Sequence, residues 1–470
     1  LDIYCGDFVV RLEKDTLGEV KVPDNAYYGP QTARAVENFN VSGEKLPSVF
    51  IKAQATIKIA SAKANMQLGK LDPEIGEAIV QAATKVREGK LNEQFVVDAF
   101  QSGAGTSQNM NANEVIANCA LEIKGFDMGR YDIIHPNDHV NMSQSSNDTT
   151  HTAIHISAME ALKSELLPKL VELQSILNEI SSEFIYIVKP GRTHLQDAVP
   201  ITLGQEFSGY ARMVELSINK IFRAMDDLGE LNIGGTAVGT GLNSLEDFGK
   251  FAVFEVNQIT EMDFRLTENP FEATQGADAI LNTSAALRNL SVDLIKIAND
   301  LRLLSSGPRA SIGEINLPAV QPGSSIMPAK VNPVMAEMMN MAAFQVIGND
   351  TAIMMAAQGG QLELNVFTPV LAYNLLKSIR ILSGSIDSFN RKCLQGITAN
   401  VQRCAELAES SLAIATSLAP LIGYEEATEI AYQAHRENKS IKEVVREMEL
   451  LTEEEIDQLL DPMKLTGVEK

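Results

Sequence analysis

Two segments in the middle of the chain set the tightest limit on its fold. Leu203, Phe207, Tyr210, Val214, Ile218, Ile221, Met225 and Leu228 recur at steps of three or four. Ile280, Leu287, Leu290, Leu294, Ile297, Leu301 and Leu304 keep almost strict heptad spacing. Such steps place every apolar side chain on one face of a helix, and runs this long belong to helices packed in a bundle. No stretch alternates at period two over enough residues to build a substantial sheet. Composition agrees, because Ala, Leu, Ile and Met are plentiful, aromatic residues make up only 6% and Trp is absent. Unbranched side chains lose little freedom on entering a helix. The expected class is all-α, with part of the helical surface meeting other copies of the chain.

Shorter elements flank this centre. Ile51 to Leu68 reads as an Ala/Ile-rich helix, and LDPEIGEAI opens another with Pro73 near its start. Near the end, Ser440 with Glu443 and Thr452 with Glu455 form two capping boxes. The expected division is an N-terminal, mainly helical domain (1–143), a central long-helix domain (144–400) and a small C-terminal helical domain (401–470).

Charge narrows the partners. The formal net charge is −22 and the pI about 4.8, so nucleic acid and anionic membrane surfaces are repelled. A small dianion is repelled too, unless a site concentrates cations locally. Cys5, Cys119, Cys393 and Cys404 show no pairing pattern, which predicts reduced thiols and a cytoplasmic location. No apolar run approaches the ~18 residues of a bilayer span, and the opening LDIYCGDFVV lacks the features of a secretory signal.

Four polar runs interrupt the helical pattern: GAGTSQNMN from Gly103, HPNDHVNMSQSSND from His135, GRTHLQDA from Gly191 and GSSIMPAKVNP from Gly323. Dense in hydroxyls, amides and cations, and expected at helix ends, they predict a composite pocket. His135/His139 and His151/His155 are spaced four apart, yet neither pair has a third ligand or the Glu of HExxH, so no metal site is expected. GGTAVGTG (Gly234 to Gly241) and GAGT lack the order of a phosphate loop. Helix-terminal turns and close packing account for them.

GSSIMPAKVNP resembles the signature loop of the fumarase/aspartase superfamily, and the other three runs resemble its remaining regions in the same order. The likeness extends from about Arg11 into the C-terminal part. It implies a three-domain all-α lyase acting on a small dicarboxylate, without metal or cofactor. It further implies a homotetramer whose central helices form a common core, each active site drawing on three subunits.

The resemblance assigns Ser324 as the base on a mobile loop. His194 faces it across the substrate as proton carrier, with Glu337 as its carboxylate partner. Thr106, Ser145, Ser146, Asn147, Thr193, Ser325, Lys330 and Asn332 are assigned to substrate binding. His135, Asn137 and Asp138 are assigned to a second dicarboxylate site. The chemistry suits these residue types. Removing a proton beside a carboxylate leaves a carbanion whose charge spreads onto that carboxylate, and preset cations and N–H or O–H donors must hold it.

Within the superfamily, SQSSND, GQEFSGY, IGGTAVGTGLN and ELNVFTPV resemble the fumarate hydratases, which implies reversible hydration of fumarate to malate. AYYGPQT, GAGTS, FEATQ and LRLLSSGPRA lean instead toward the aspartate ammonia-lyases. Aspartate ammonia-lyases more often carry Gly-Ala-Thr where Gly234-Gly235-Thr236 stands. Two positions depart from the pattern. Ala329 replaces a glycine usual in fumarases, and Thr150-His151 replaces a Phe-Pro common to both groups. Crystallin-like relatives that serve only as structural proteins are the remaining alternative. Retention of the Ser, Lys and His argues against it.

Overall fold

The computed structural model describes residues 10–468, so Cys5 and nearly all of the opening segment lie outside the described residues. The chain divides into two compact units. One holds the chain up to Leu167 with Lys220–Asn289 and Gln345–Leu382. The other holds Pro168–Asn219, Leu290–Phe344 and the chain from Ser383 onward.

Helices dominate, and the periodic stripes fold as their spacing predicts. Leu203–Leu228 and Asp278–Leu304 are single helices. Ile280, Leu287, Leu290, Leu294, Ile297, Leu301 and Leu304 are all buried, as is the first stripe except Met225. Met225 is half-buried, and Ala224 takes the inward position instead. Val334–Gln358 and Thr368–Phe389 are further long helices. On Val334–Gln358, the large side chains of Met341, Phe344, Met354 and Met355 stand exposed.

In the first unit the helix Ser48–Gln67 is covered on nearly every side, burying Ala53, Ala55, Ile57, Ile59, Ala60 and Ala64. Small residues let neighbouring helices come close, and Ile116, Ala120 and Ile79 pack in the same core. Asp72 caps the next helix, Pro73–Arg87, by accepting from the N–H groups of Glu74 and Ile75.

The second unit contains both expected capping boxes. Ser440 and Glu443 exchange their bonds at the start of Ile441–Glu447, and Thr452 and Glu455 do so at Glu453–Leu459. Ile430, Val444, Ile456 and Leu460 form the core beneath them. Cys119, Cys393 and Cys404 are free and buried.

Among the described residues, strands occur only as four two-stranded sheets. One corrects the sequence reading. GRTHLQDA does not flank a helix but forms the tip of an antiparallel ribbon, Val188–Thr193 with Gln196–Thr202. Pro190 faces Pro200 and the register shifts at Pro190/Gly191. Two residues without N–H groups interrupt the ladder, so no clean alternation marks it in the sequence. Among the described residues no helix is long and apolar enough to cross a membrane.

Candidate active site

In the first unit, two helix starts meet. Thr106 opens Thr106–Ile123, Ser146 opens Ser146–Ala161, and their hydroxyl oxygens lie 3.1 Å apart. The turn before Thr106 uses left-handed backbone at Ala104 (φ 58°) and Gly105 (φ 68°). A Cβ on Gly105 would come within 2.8 Å of the Thr150 hydroxyl oxygen, so only glycine fits. Ala104 donates its N–H to the Val366 carbonyl at 2.8 Å and accepts from the Thr150 hydroxyl at 2.9 Å. Thr150 thus stabilises this turn from within an unbroken helix; no bend occurs at Thr150-His151. A helix N-terminus offers unpaired N–H groups and the positive end of its dipole, so two together suit a carboxylate.

The second helix start is tied down by Asp148. Ser145 is its N-cap, accepting from the Asn147 N–H, while Asp148 Oδ1 accepts from the Ser145 N–H at 2.9 Å. Asp148 Oδ2 accepts from the N–H groups of Gly234 (3.1 Å) and Thr236 (2.9 Å), and Asn147 Nδ2 donates to the Ala237 carbonyl at 2.7 Å. Underneath, Lys58 Nζ donates to Asn109 Oδ1, Asn141 Oδ1 and Gln144 Oε1, each at 2.9 Å. Burial pushes the Asp148 carboxyl up to about 6, against the pull of its N–H donors and Lys58. Burial also brings the Lys58 ammonium down to about 7, partly opposed by Asp148. Neither residue was picked out from the sequence. A lone charge in the Ala/Ile-rich run QATIKIASA is the available signal for Lys58.

His135, Asn137 and Asp138 share one turn, Pro136–Val140 with His135 as its cap. His135 Nδ1 accepts from the N–H groups of Asn137 and Asp138, and Asp138 Oδ2 lies 3.5 Å from the same nitrogen. His139 Nδ1 accepts from the His135 N–H. Capping alone accounts for one nitrogen of His135. Asn137 and Asp138 are exposed.

The second unit carries the other two runs. At the ribbon tip, His194 (φ 53°) and Leu195 (φ 60°) are both left-handed and Thr193 pairs with Gln196 across them. Non-glycine residues in this conformation cost about 1 kcal/mol or more each, and such strain gathers at functional sites. The base of the ribbon is anchored by charge. Lys189 pairs with Glu206 (2.6 Å) and Glu314 (3.0 Å), and Arg192 with Glu314 (2.8 Å).

The loop from Gly323 is ordered by its own backbone. Gly323 donates its N–H to the Lys330 carbonyl at 2.9 Å, and Asn332 Nδ2 donates to the Gly323 carbonyl at 2.6 Å. A Cβ at Gly323 would lie 2.4 Å from the Lys330 carbonyl oxygen, which requires glycine. Ser324 Oγ accepts from the N–H groups of Met327 (2.9 Å) and Ile326 (3.2 Å). Ala329, in the place of a glycine, is left-handed at φ 62°. Ser325 and Lys330 are exposed, and Glu337 lies in the first turn of Val334–Gln358. Among the described residues no ion pair joins His194 to Glu337 within the chain. Asn332 gives one of its two amide hydrogens to the loop itself.

A helical frame, a hydroxyl cradle at paired helix starts and a serine loop closed by Lys-x-Asn-Pro define a class. A lyase family model matches residues 18–348, and a fumarase C C-terminus model matches residues 414–467. The chain belongs to the fumarase/aspartase family of lyases. It is 49% identical to an aspartate ammonia-lyase of Bacillus subtilis, over 97% of this chain and 96% of that protein. It is 48% identical to a class II fumarate hydratase of Brucella suis, over 96% of this chain and 97% of that protein. Among solved structures, a class II fumarase from Schistosoma mansoni matches with a TM-score of 0.95 at 37% identity, covering 97% of this chain and 99% of that one.

Proposed function

We propose that the chain hydrates fumarate reversibly to malate, with Ser324 as the base. The observation that carries this is the pair of N–H groups at 2.9 and 3.2 Å from Ser324 Oγ. A serine is a poor base because its oxyanion is unstable in water. Two donors already aimed at the oxygen lower that cost. In the direction of dehydration, the Ser324 oxyanion takes a proton from the carbon beside one carboxylate. The electron pair spreads onto that carboxylate. The neighbouring hydroxyl then leaves as water, carrying a proton passed from His194, and the double bond forms.

Thr106, Ser145, Ser146, Asn147, Thr193, Ser325, Lys330 and Asn332 hold the two carboxylates in this reading, and Glu337 of the assembled enzyme supports His194. His135, Asn137 and Asp138 take a second dicarboxylate. The sites are completed by three chains of a homotetramer with a helical core, built from the three domains 1–143, 144–400 and 401–470. Exposed Met341, Phe344, Met354 and Met355 on one long helix support an assembly.

The choice of water over ammonia rests on the loop beside Asn147. A Cβ at Gly235 would approach Asn232 Oδ1 to 2.7 Å, so this loop is shaped for the Gly-Gly-Thr form rather than Gly-Ala-Thr. Ammonia-lyase activity is the second reading, favoured by the similarity to the Bacillus subtilis enzyme. Offering purified protein fumarate in water, with and without ammonium, separates them. Malate in both mixtures is expected. Aspartate, formed only with ammonium, overturns the hydratase reading, and no product in either supports a structural member of the family.

A further inference from the structure

We propose that Lys58 is a positioning residue for dicarboxylate binding: its buried ammonium fixes the segment Asn141–Gln144 and so sets where Ser145, Ser146 and Asn147 stand. The inference rests on reading the Thr106–Ser146 cradle as a carboxylate site. Lys58 lies within the helix Ser48–Gln67 and is 1% exposed. A buried ammonium is costly unless each of its hydrogens is met. Here three amide oxygens meet it at 2.9 Å, and each comes from a different place. Asn109 stands in the first turn of Thr106–Ile123, Asn141 closes the turn Pro136–Val140, and Gln144 directly precedes the cap Ser145. Three acceptors match the charged form. A neutral amine has two hydrogens and a lone pair, and would leave one oxygen unmet.

The ammonium also fixes which way these amides point. With their oxygens on Lys58, their nitrogens are turned onto the same segment. Asn141 Nδ2 donates to the Gln144 carbonyl at 3.2 Å, and Gln144 Nε2 to the carbonyls of Val140 (3.1 Å) and Met142 (3.0 Å). Asn109 Nδ2 donates to Asn141 Oδ1 at 3.1 Å. The segment is not one that shapes itself, because Ser143 is held left-handed at φ 64°. Its far end is the cap: the Ser145 carbonyl accepts from Thr149 Oγ1 at 2.8 Å, and the same hydroxyl lies 3.4 Å from Asn109 Oδ1. An apolar side chain would fill a core position at less cost. What the ion adds is a fixed helix start, with positive charge behind the place where a dianion settles.

Asp148 is the ionisable group that acts on Lys58, opposing the larger downward push of burial. Charges on the other elements packed around it are engaged elsewhere. Glu160 pairs with Lys52, Glu255 with Lys63, Glu74 with Lys124 and Asp138 with His135. Glu114 accepts from the N–H groups of Gly29, Gln31 and Thr32, Glu122 from the Tyr27 hydroxyl and Glu77 from Gln81. Arg87 donates to Thr56 Oγ1 and the Ile259 carbonyl, and His139 Nδ1 accepts from the His135 N–H. Burial favours the neutral form of His151 and His155. Rising pH therefore takes a hydrogen from Lys58, frees one amide oxygen and removes the positive charge behind the cradle.

Calorimetric titration of the full chain with succinate, which has two carboxylates and no double bond to react, tests the role. Lys58→Met keeps the length and removes the charge. At about pH 6.5 it should bind succinate about tenfold more weakly than the parent. By about pH 9 the parent loses its advantage, and the two should agree within about threefold. A role confined to folding leaves a ratio that does not change with pH. A constant ratio, or equal affinity at about pH 6.5, overturns the proposal. Should Lys58→Met fail to fold, proton uptake decides. In His194→Asn, where that imidazole cannot contribute, succinate binding near pH 7.5 should take up about half a proton. Heats in two buffers of different ionisation enthalpy read it, and no uptake overturns the proposal. Ser146→Ala separates the two levels of the argument. If it binds succinate as the parent does, the cradle reading falls and this inference with it. If it binds more weakly while Lys58→Met does not, only the role of Lys58 falls.

Discussion

The Thr106–Ser146 cradle and the Gly323–Pro333 loop belong to one family motif set, yet they are built by opposite means. The cradle rests on long helices and a buried polar layer of Lys58, Asn109 and Asp148. The loop is exposed, and its order comes from four local hydrogen bonds: Gly323 to Lys330, Asn332 to Gly323, and the N–H groups of Ile326 and Met327 to Ser324. Groups that must hold charge throughout a reaction profit from a base that does not yield. A group that acts only once substrate is seated profits from a segment with local shape and little burial, which can move as a piece.

Breaking the loop's chemistry should have the largest effect. Ser324→Ala is expected to reduce turnover by about 10²–10⁴-fold while leaving substrate affinity nearly unchanged. Steady-state kinetics with a competitive dicarboxylate inhibitor read both quantities, and near-normal turnover removes Ser324 from the base role. Ser146→Ala, on the cradle side, should act on binding as well as rate, lowering kcat/KM by about 10²-fold. Should it lower kcat with KM untouched, the cradle is not a ground-state carboxylate holder.

Acid probes the burial that distinguishes the regions. Burial holds His151, on the cradle helix, neutral down to a pKa of about 4, against 6.5 in the unfolded chain. Between those values the unfolded chain binds more protons, so stability falls as pH drops from 6.5 to 4. The loss from this group is at most roughly 3 kcal/mol. Denaturant midpoints across that range should show a shallower slope for His151→Gln than for the parent; equal slopes exclude His151 as the cause. Ala329→Gly should have the smallest effect. It relieves a left-handed alanine but frees the unfolded chain, so stability should change by about 1 kcal/mol or less, in either direction. A change several times larger in thermal unfolding would show that the loop is part of the global fold.

Much of the frame was legible because its signals repeat. Seven stripe positions from Ile280 to Leu304 agree on one helix face, and all are buried. Ser440/Glu443 and Thr452/Glu455 declare their helix starts within four residues. The ribbon bearing His194 was hidden, because Pro190, Gly191 and Pro200 erase the alternation that announces a strand. In the site, the hydroxyls and the serine loop could be read from resemblance, but their supports could not. Asp148 contacts Gly234 and Thr236, 86 and 88 positions away, and Thr150 closes on Ala104 across 46. Such contacts are decided by packing and leave no local periodicity.

The meeting of Thr106 and Ser146 brings like poles face to face. Each helix start carries about half a positive elementary charge, and the two push against one another whenever nothing negative lies between them. At the second start the Asp148 carboxylate offsets part of this repulsion. If a dianion binds there as proposed, it would act as a clasp between the two starts, and the chain should become harder to melt as its concentration rises.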